Sequence, residues 1–196
     1  TDNTASDVDP GKDATTNSRF PNGPWYNGTT GYGSIWQAWN SGALAPRLGP
    51  CGTMVYHGGG HADYFGNAVI GLDLCGGAKG APIWRRLTNP YDPKQAMQWP
   101  YPTGAFPDGT PSPAHITDGI AVDPSTNKMI ITMSQGCIGQ NSPLCGAYPN
   151  EYVDSLWTLD LSTRTWNGPH KHNGGIYSSS AWDSKRNLLW FQAVVP

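Results

Sequence analysis

Five histidines occur, at 57, 61, 115, 170 and 172, and the segment around His61 is the densest in groups able to do chemistry. Tyr-His-Gly-Gly-Gly-His-Ala-Asp-Tyr places Asp63 and Tyr64 beside His61, and His115 is followed by Asp118. Imidazoles and carboxylates gathered this way could ligate a divalent metal, or supply a general base and acid for polysaccharide cleavage. Neutral imidazoles with Tyr64 would equally suit an uncharged or weakly acidic glycan, Asp63 bonding hydroxyls or orienting His61. The plainer reading is structural: glycines permit turns, and a His or Asp beside them often bonds only loop backbone. His170 and His172 are an i, i+2 pair that could bind metal on one strand face, with a solvated loop the expected setting. Arg85 and Arg86 fall on an outer strand and are weaker candidates. No HExxH, nucleophile elbow, P-loop or GxGxxG is present, which removes the common hydrolase and nucleotide readings.

These residues must be positioned by short strands and turns. The chain has 196 residues with Gly 25, Pro 18 and 13% charged residues. One domain is expected, and long amphipathic helices are not. Nine Trp and nine Tyr exclude disorder over most of the length. A net charge of -2 lacks the electrostatic footprint of a nucleic-acid binder, and no apolar run approaches the ~20 residues of a membrane span. Residues 1–33 read as an extended arm. Short apolar runs follow: Thr53 to His57, Ala68 to Leu74, Ile83 to Leu87, Gly119 to Val122, Lys128 to Met133, Leu156 to Leu161, Arg164 to Trp166, and Leu188 to Val195.

The runs repeat. AVDPSTNKMIITMSQG from Ala121 recurs as AWDSKRNLLWFQAV from Ala181, with Asp123 and Asn127 matched by Asp183 and Asn187. Each D-x-x-x-N reads as a tight turn between paired strands. Leu72-Asp73-Leu74 followed by Trp84 matches Leu159-Asp160-Leu161 followed by Trp166. Together they give a four-stranded antiparallel unit, the pattern of a propeller blade. The expected fold is all-β: a partial β-propeller over 34–196 of about two and a half blades. A blade spans 34–90, a Pro-rich insertion 91–114, a second blade 115–172 and a half blade 173–196. Trp84 and Trp166 repeat and should be core, whereas Trp25, Trp36, Trp39 and Trp99 lie outside the repeat and are better placed for a partner or glycan.

YHGGGHADYFGNAVIGLDL with PIWRRLTNP, then SPAHITDGIAVDPSTN and SLWTLDLSTRTWNGP, resembles the kelch-type blades of bacterial secreted proteins related to galactose-oxidase-like propellers. The resemblance covers roughly residues 34–196 and implies fold more firmly than function, since such propellers include oxidases, lyases and pure binding modules. Galactose oxidase's copper ligands and thioether-forming cysteine have no match, so its chemistry is not carried over. The expected function is an extracellular binding or assembly module for glycans or a protein partner. A polysaccharide lyase or oxidase with its site on the channel face is the alternative.

Loop parity supports one site. Crossing two antiparallel strands returns the chain to its starting face, so the loop holding His61, Asp63 and Tyr64 should neighbour the entry segment holding His115 and Asp118. Four cysteines and a small, polar N-terminal stretch fit a secreted chain with disulfides. The sequon Asn27-Gly28-Thr29 matters only in a glycosylating source. A hairpin pairing residues of index sum 126 sets Cys51 beside Cys75. Cys137 and Cys145 would then close CIGQNSPLC. The half blade ends in Leu189, Trp190, Phe191, Val194 and Val195 without partner strands, so another chain or further sequence should cover it, and a partner's aromatic arm, residues 20–39, could do so.

Overall fold

The computed structural model describes residues 8, 33–37, 41–58, 66–91, 105–106, 108–111, 116, 118–135, 153–171 and 178–193. It is all-β, with blade-like antiparallel meanders and, among the described residues, one short α-helix, α1 (Ser34–Gln37). Sheet one joins β1 (Gly42–Ala45), β2 (Thr53–Tyr56), β3 (Ile70–Asp73) and β4 (Ile83–Arg86) in that order. Sheet two joins β5 (Ile120–Asp123), β6 (Lys128–Gln135), β7 (Val153–Asp160) and β8 (Thr165–Lys171) likewise. Sheet three pairs β9 (Ser178–Asp183) with β10 (Leu188–Ala193), and none of the three closes on itself.

Turn chemistry explains why the strands stop where they do. Asp123 pairs with Lys128 across the turn 124–127, and Asn127 closes it at φ 56°. The Asp123 carboxylate accepts from Ser125 N at 2.8 Å, Ser125 Oγ at 2.7 Å and Thr126 Oγ1 at 2.5 Å. Burial alone would raise its pKa, but these hydrogen bonds outweigh it and hold the group below the ordinary value. Asp183 caps the turn ended by Asn187 in the same way, accepting from the N–H groups of Lys185 and Arg186. A third copy was hidden in the sequence. Asp160 caps 161–164 through Ser162 N and Thr163 N, and Arg164 takes the left-handed position at φ 63° where the other turns have Asn. Arg164 is therefore a turn residue rather than the start of a strand.

The core lies between sheets one and two. Ala45, Val55 and Val69 of the first meet Val122, Met129, Ile131, Trp157 and Leu159 of the second, with Ile116 among them. Arg47 also crosses between the sheets, donating to the carbonyl of Ser125 at 2.6 Å. The opposite face of sheet one is covered by the chain's own N-terminal side: Ile35 is fully buried against Ile70, and Trp36 lies 5.8 Å from Trp84. The expectation that Trp36 faces a partner or glycan is thus overturned, because its ring completes this cluster. The same contact keeps Ile35 and Trp36 on their own sheet, not over a second copy. Trp84 and Trp166 are packed, as the repeat implied. Sheet three attaches to sheet two where Ser180 N donates to Asp118 O at 2.9 Å in a parallel bridge.

The hairpin register of β2 and β3 runs from Thr53–Asp73 to Tyr56–Ile70, a constant sum of 126. Cys51 and Cys75 accordingly form a disulfide with Cα atoms 5.7 Å apart. Cys137 and Cys145 lie outside the described residues. The strand Gly42–Ala45 was not among the expected runs, its small residues carrying no alternating signal. At the other extreme, β8 extends to Lys171, so His170 and Lys171 lie on a strand where a loop was expected, and His170 is exposed. Among the described residues, no helix is long and apolar enough to cross a membrane.

Candidate functional site

The segments flanking the predicted site come together at one end of the two sheets. β2 leaves its sheet at Tyr56, opposite Gly42, where the chain enters β1. β2 therefore ends, and β3 begins, at the entry end of the sheet. In sheet two, Thr132 N donates to Gly119 O at 2.8 Å, setting the middle of β6 beside the entry to β5, and β6 runs on past it to Gln135.

Asn67 joins the two halves of this end. Its Nδ2 donates to Thr110 Oγ1 and to Pro111 O, each at 2.8 Å, and its Oδ1 accepts from Tyr91 N at 2.7 Å. Every donor and acceptor direction used serves to hold the Pro-rich insertion against sheet one. Thr110 passes the bond on, donating to Asp108 Oδ1 at 2.6 Å, and the rings of Tyr91 and Phe106 stack with centroids 4.5 Å apart. After Pro111 the chain returns to the core at Ile116, which shares a fully buried cluster with Val69. Residues 67 and 111, on the described flanks of the 59–65 and 112–115 segments, are thus bonded to each other.

His61, Asp63, Tyr64 and His115 themselves lie outside the described residues, as do Trp25, Trp39, Trp99 and His172. Asp118 is described: its backbone carries the bridge to sheet three, and its side chain is exposed at the same end. Arg85 and Arg86 serve the fold. Arg85 Nε bonds Asp73 Oδ2 at 3.3 Å, and Arg86 donates to Asn89 Oδ1 at 3.0 Å and to Val8 O at 3.2 Å.

The histidine that the sequence left without a role is the most constrained. His57 is completely buried, its ring 5.3 Å from that of Trp166 on sheet two. Its Nδ1 lies 3.3 Å from Ala68 O, an acceptor only, so Nδ1 carries the hydrogen and Nε2 presents a lone pair. Among the described residues that Nε2 has no hydrogen-bond partner. Burial pushes its pKa down to about 4, the bond to Ala68 opposing only weakly, so the ring is neutral at physiological pH. The signal for this was legible: period-two alternation puts His57 on the face of Val55, which is buried. Asn67 had no such signal, since its partners lie more than 20 residues away.

Among the described residues, no group of three or more His, Cys, Asp or Glu is placed to hold a metal ion. What this end offers is a braced polar rim, with the Asp118 carboxylate exposed upon it. No protein-family model, curated protein or solved structure matches the chain.

Proposed function

We propose that the chain is a secreted, kelch-type blade protein that binds glycans through His61, Asp63, Tyr64, His115 and Asp118. The carrying observation is the three-bonded Asn67, which fixes the insertion beside the exit of the 59–65 segment. A surface held by buried side-chain bonds keeps its groups oriented, so a ligand need not pay for ordering them. On this reading Tyr64 stacks on a sugar ring, His61 and His115 exchange hydrogen bonds with hydroxyls, and Asp63 or Asp118 accepts from them. The Cys51–Cys75 disulfide fits an oxidising, extracellular setting.

Calorimetric titration with neutral and uronic-acid oligosaccharides tests this, using the wild type, His61→Ala and His115→Ala. Saturable binding that both substitutions weaken at least tenfold, with unchanged thermal unfolding, is the expected result. If no oligosaccharide binds at millimolar concentration, the reading fails. It fails equally if His61→Ala lowers stability while leaving affinity unchanged, since His61 then only bonds loop backbone. Release of shortened or oxidised sugar in the same mixtures would replace binding by the lyase or oxidase alternative.

A further inference from the structure

We propose that the Cys51–Cys75 bridge is a thiol-exchange site: an external thiolate attacks Cys51, and opening the bridge loosens the 46–52 turn that carries Arg47 onto sheet two. Cys51 is exposed and Cys75 half-buried, so an incoming thiol meets Cys51 first. Access decides which sulfur is attacked, and exposed disulfides are the labile and regulatory ones. The bridge ties the turn between β1 and β2 to the segment after β3, with Cα atoms 5.7 Å apart. Arg85 donates to Gly76 O at 3.2 Å and to Asp73 Oδ2 at 3.3 Å. It thereby sets a cation beside the segment that carries the leaving Cys75 and offsets the Asp73 carboxylate there.

The turn depends on the bridge because little of it is buried. Pro46, Arg47, Gly49 and Pro50 are exposed, whereas Leu48 packs against the core between the sheets. Hydrogen bonds hold its two ends: Leu48 N donates to Ala45 O at 3.2 Å, Thr53 Oγ1 to Leu48 O at 2.7 Å, and Leu74 N to Gly52 O at 3.0 Å. Gly49 and Gly52 take φ 78° and 84°, and glycine loses more conformational freedom on ordering than any other residue. From this turn Arg47 donates to Ser125 O at 2.6 Å and to Pro124 O at 3.4 Å, 78 and 77 residues away. An exposed guanidinium gains little from such bonds unless the backbone carrying it is already ordered. The bridge supplies that order, so its redox state is coupled to the contact between the sheets.

In the exchange a thiolate forms a bond to Cys51 Sγ, the Cys51–Cys75 S–S bond breaks, and its electron pair leaves on Cys75. A second thiol attacks the incoming sulfur and releases Cys51. Two external thiols thus become one disulfide, and their two electrons and two protons end on the two cysteines. The inference does not depend on the glycan reading.

Reduced glutathione is the probe, applied to the full chain under native conditions, with acid quenching and fragmentation of the tryptic peptides. The first adduct should lie on Cys51. The Leu48 and Leu74 amides should then lose hydrogen-exchange protection, while those paired between β6 and β7 keep theirs. Arg47→Met should lower the folding equilibrium constant about fivefold in the oxidised protein, and by less than about twofold once Cys51→Ser and Cys75→Ser remove the bridge. Should the serine variant fail to fold, the cost of Arg47→Met is read by amide exchange on the glutathione-opened chain. A bridge that glutathione leaves intact overturns the proposal, as does a first adduct on Cys75 or an equal cost of Arg47→Met in both forms. Loss of β6–β7 protection together with that of Leu48 overturns it too, since the bridge would then only hold the fold together.

Discussion

Strand positions matched across the three sheets by their Asp-capped turns carry apolar residues throughout, yet among the described residues some are sealed and others exposed. Val55, in the seam between sheets one and two, and Ile130, on the face of sheet two opposite Met129 and Ile131, occupy the same place in their strands as Trp190, and their exposures are 0%, 8% and 60%. The residue type does not decide this, since Trp190 is the most apolar surface of the three. What decides is whether another sheet lies against that face and another strand along that edge. Burial in this fold is a property of neighbours, acquired one sheet at a time.

The largest expected effect tests that contrast directly. Ile131→Ala empties a fully enclosed position and should cost about 3–4 kcal/mol, whereas Phe191→Ala should cost less than about 1 kcal/mol in urea unfolding. Equal costs would break the comparison. Opening the Cys51–Cys75 disulfide by paired serine substitution should remove about 3 kcal/mol, because it frees a loop with a sequence separation of 24. Sheet three has no disulfide among its described residues, so reductant should leave the β9–β10 hairpin's amide protection unchanged relative to the rest.

The seam should also respond to acid through His57. Its folded-state pKa of about 4 lies below the unfolded value of 6.5, so the native state resists protonation. The stability that depends on the neutral ring is fully present above about pH 6.5. It falls as the pH drops toward 4, by about 3 kcal/mol in all. His57→Leu should flatten this part of the stability-against-pH curve; a slope unchanged in the variant would assign it to other groups. The smallest expected effect is at the third turn, where Arg164→Asn should raise stability by about 0.5–1 kcal/mol by relieving the left-handed conformation. A loss instead would show that the Arg164 side chain contributes more than its backbone costs.

The strands of the two full sheets were largely legible, because their signals are local. Leu72-Asp73-Leu74 and Leu159-Asp160-Leu161 each mark a strand end, and the D-x-x-x-N turns at Asp123 and Asp183 announce themselves within five residues. The index-sum register even placed Cys51 beside Cys75. Gly42–Ala45 escaped because four small residues carry no alternation; a turn after Leu159-Asp160-Leu161 was expected, but Arg164 was placed on the following strand because it is an uncommon left-handed residue. Of the candidate site, His61, Asp63, Tyr64 and His115 lie outside the described residues, and what the structure adds is the bond between Asn67 and Pro111 on their flanks.

Sequence by itself thus determined where most strands end and turn, and the register of the β2–β3 hairpin, since these follow from side chains within a few residues of one another. Tertiary structure alone decided that Trp36 packs on Trp84, that His57 is neutral and enclosed by Trp166, and that Asn67 holds the insertion. The physical reason is range. Alternation and turn chemistry act through neighbouring backbone, but desolvation and long-range hydrogen bonds depend on which surface arrives opposite a residue. No local pattern in the chain specifies that surface.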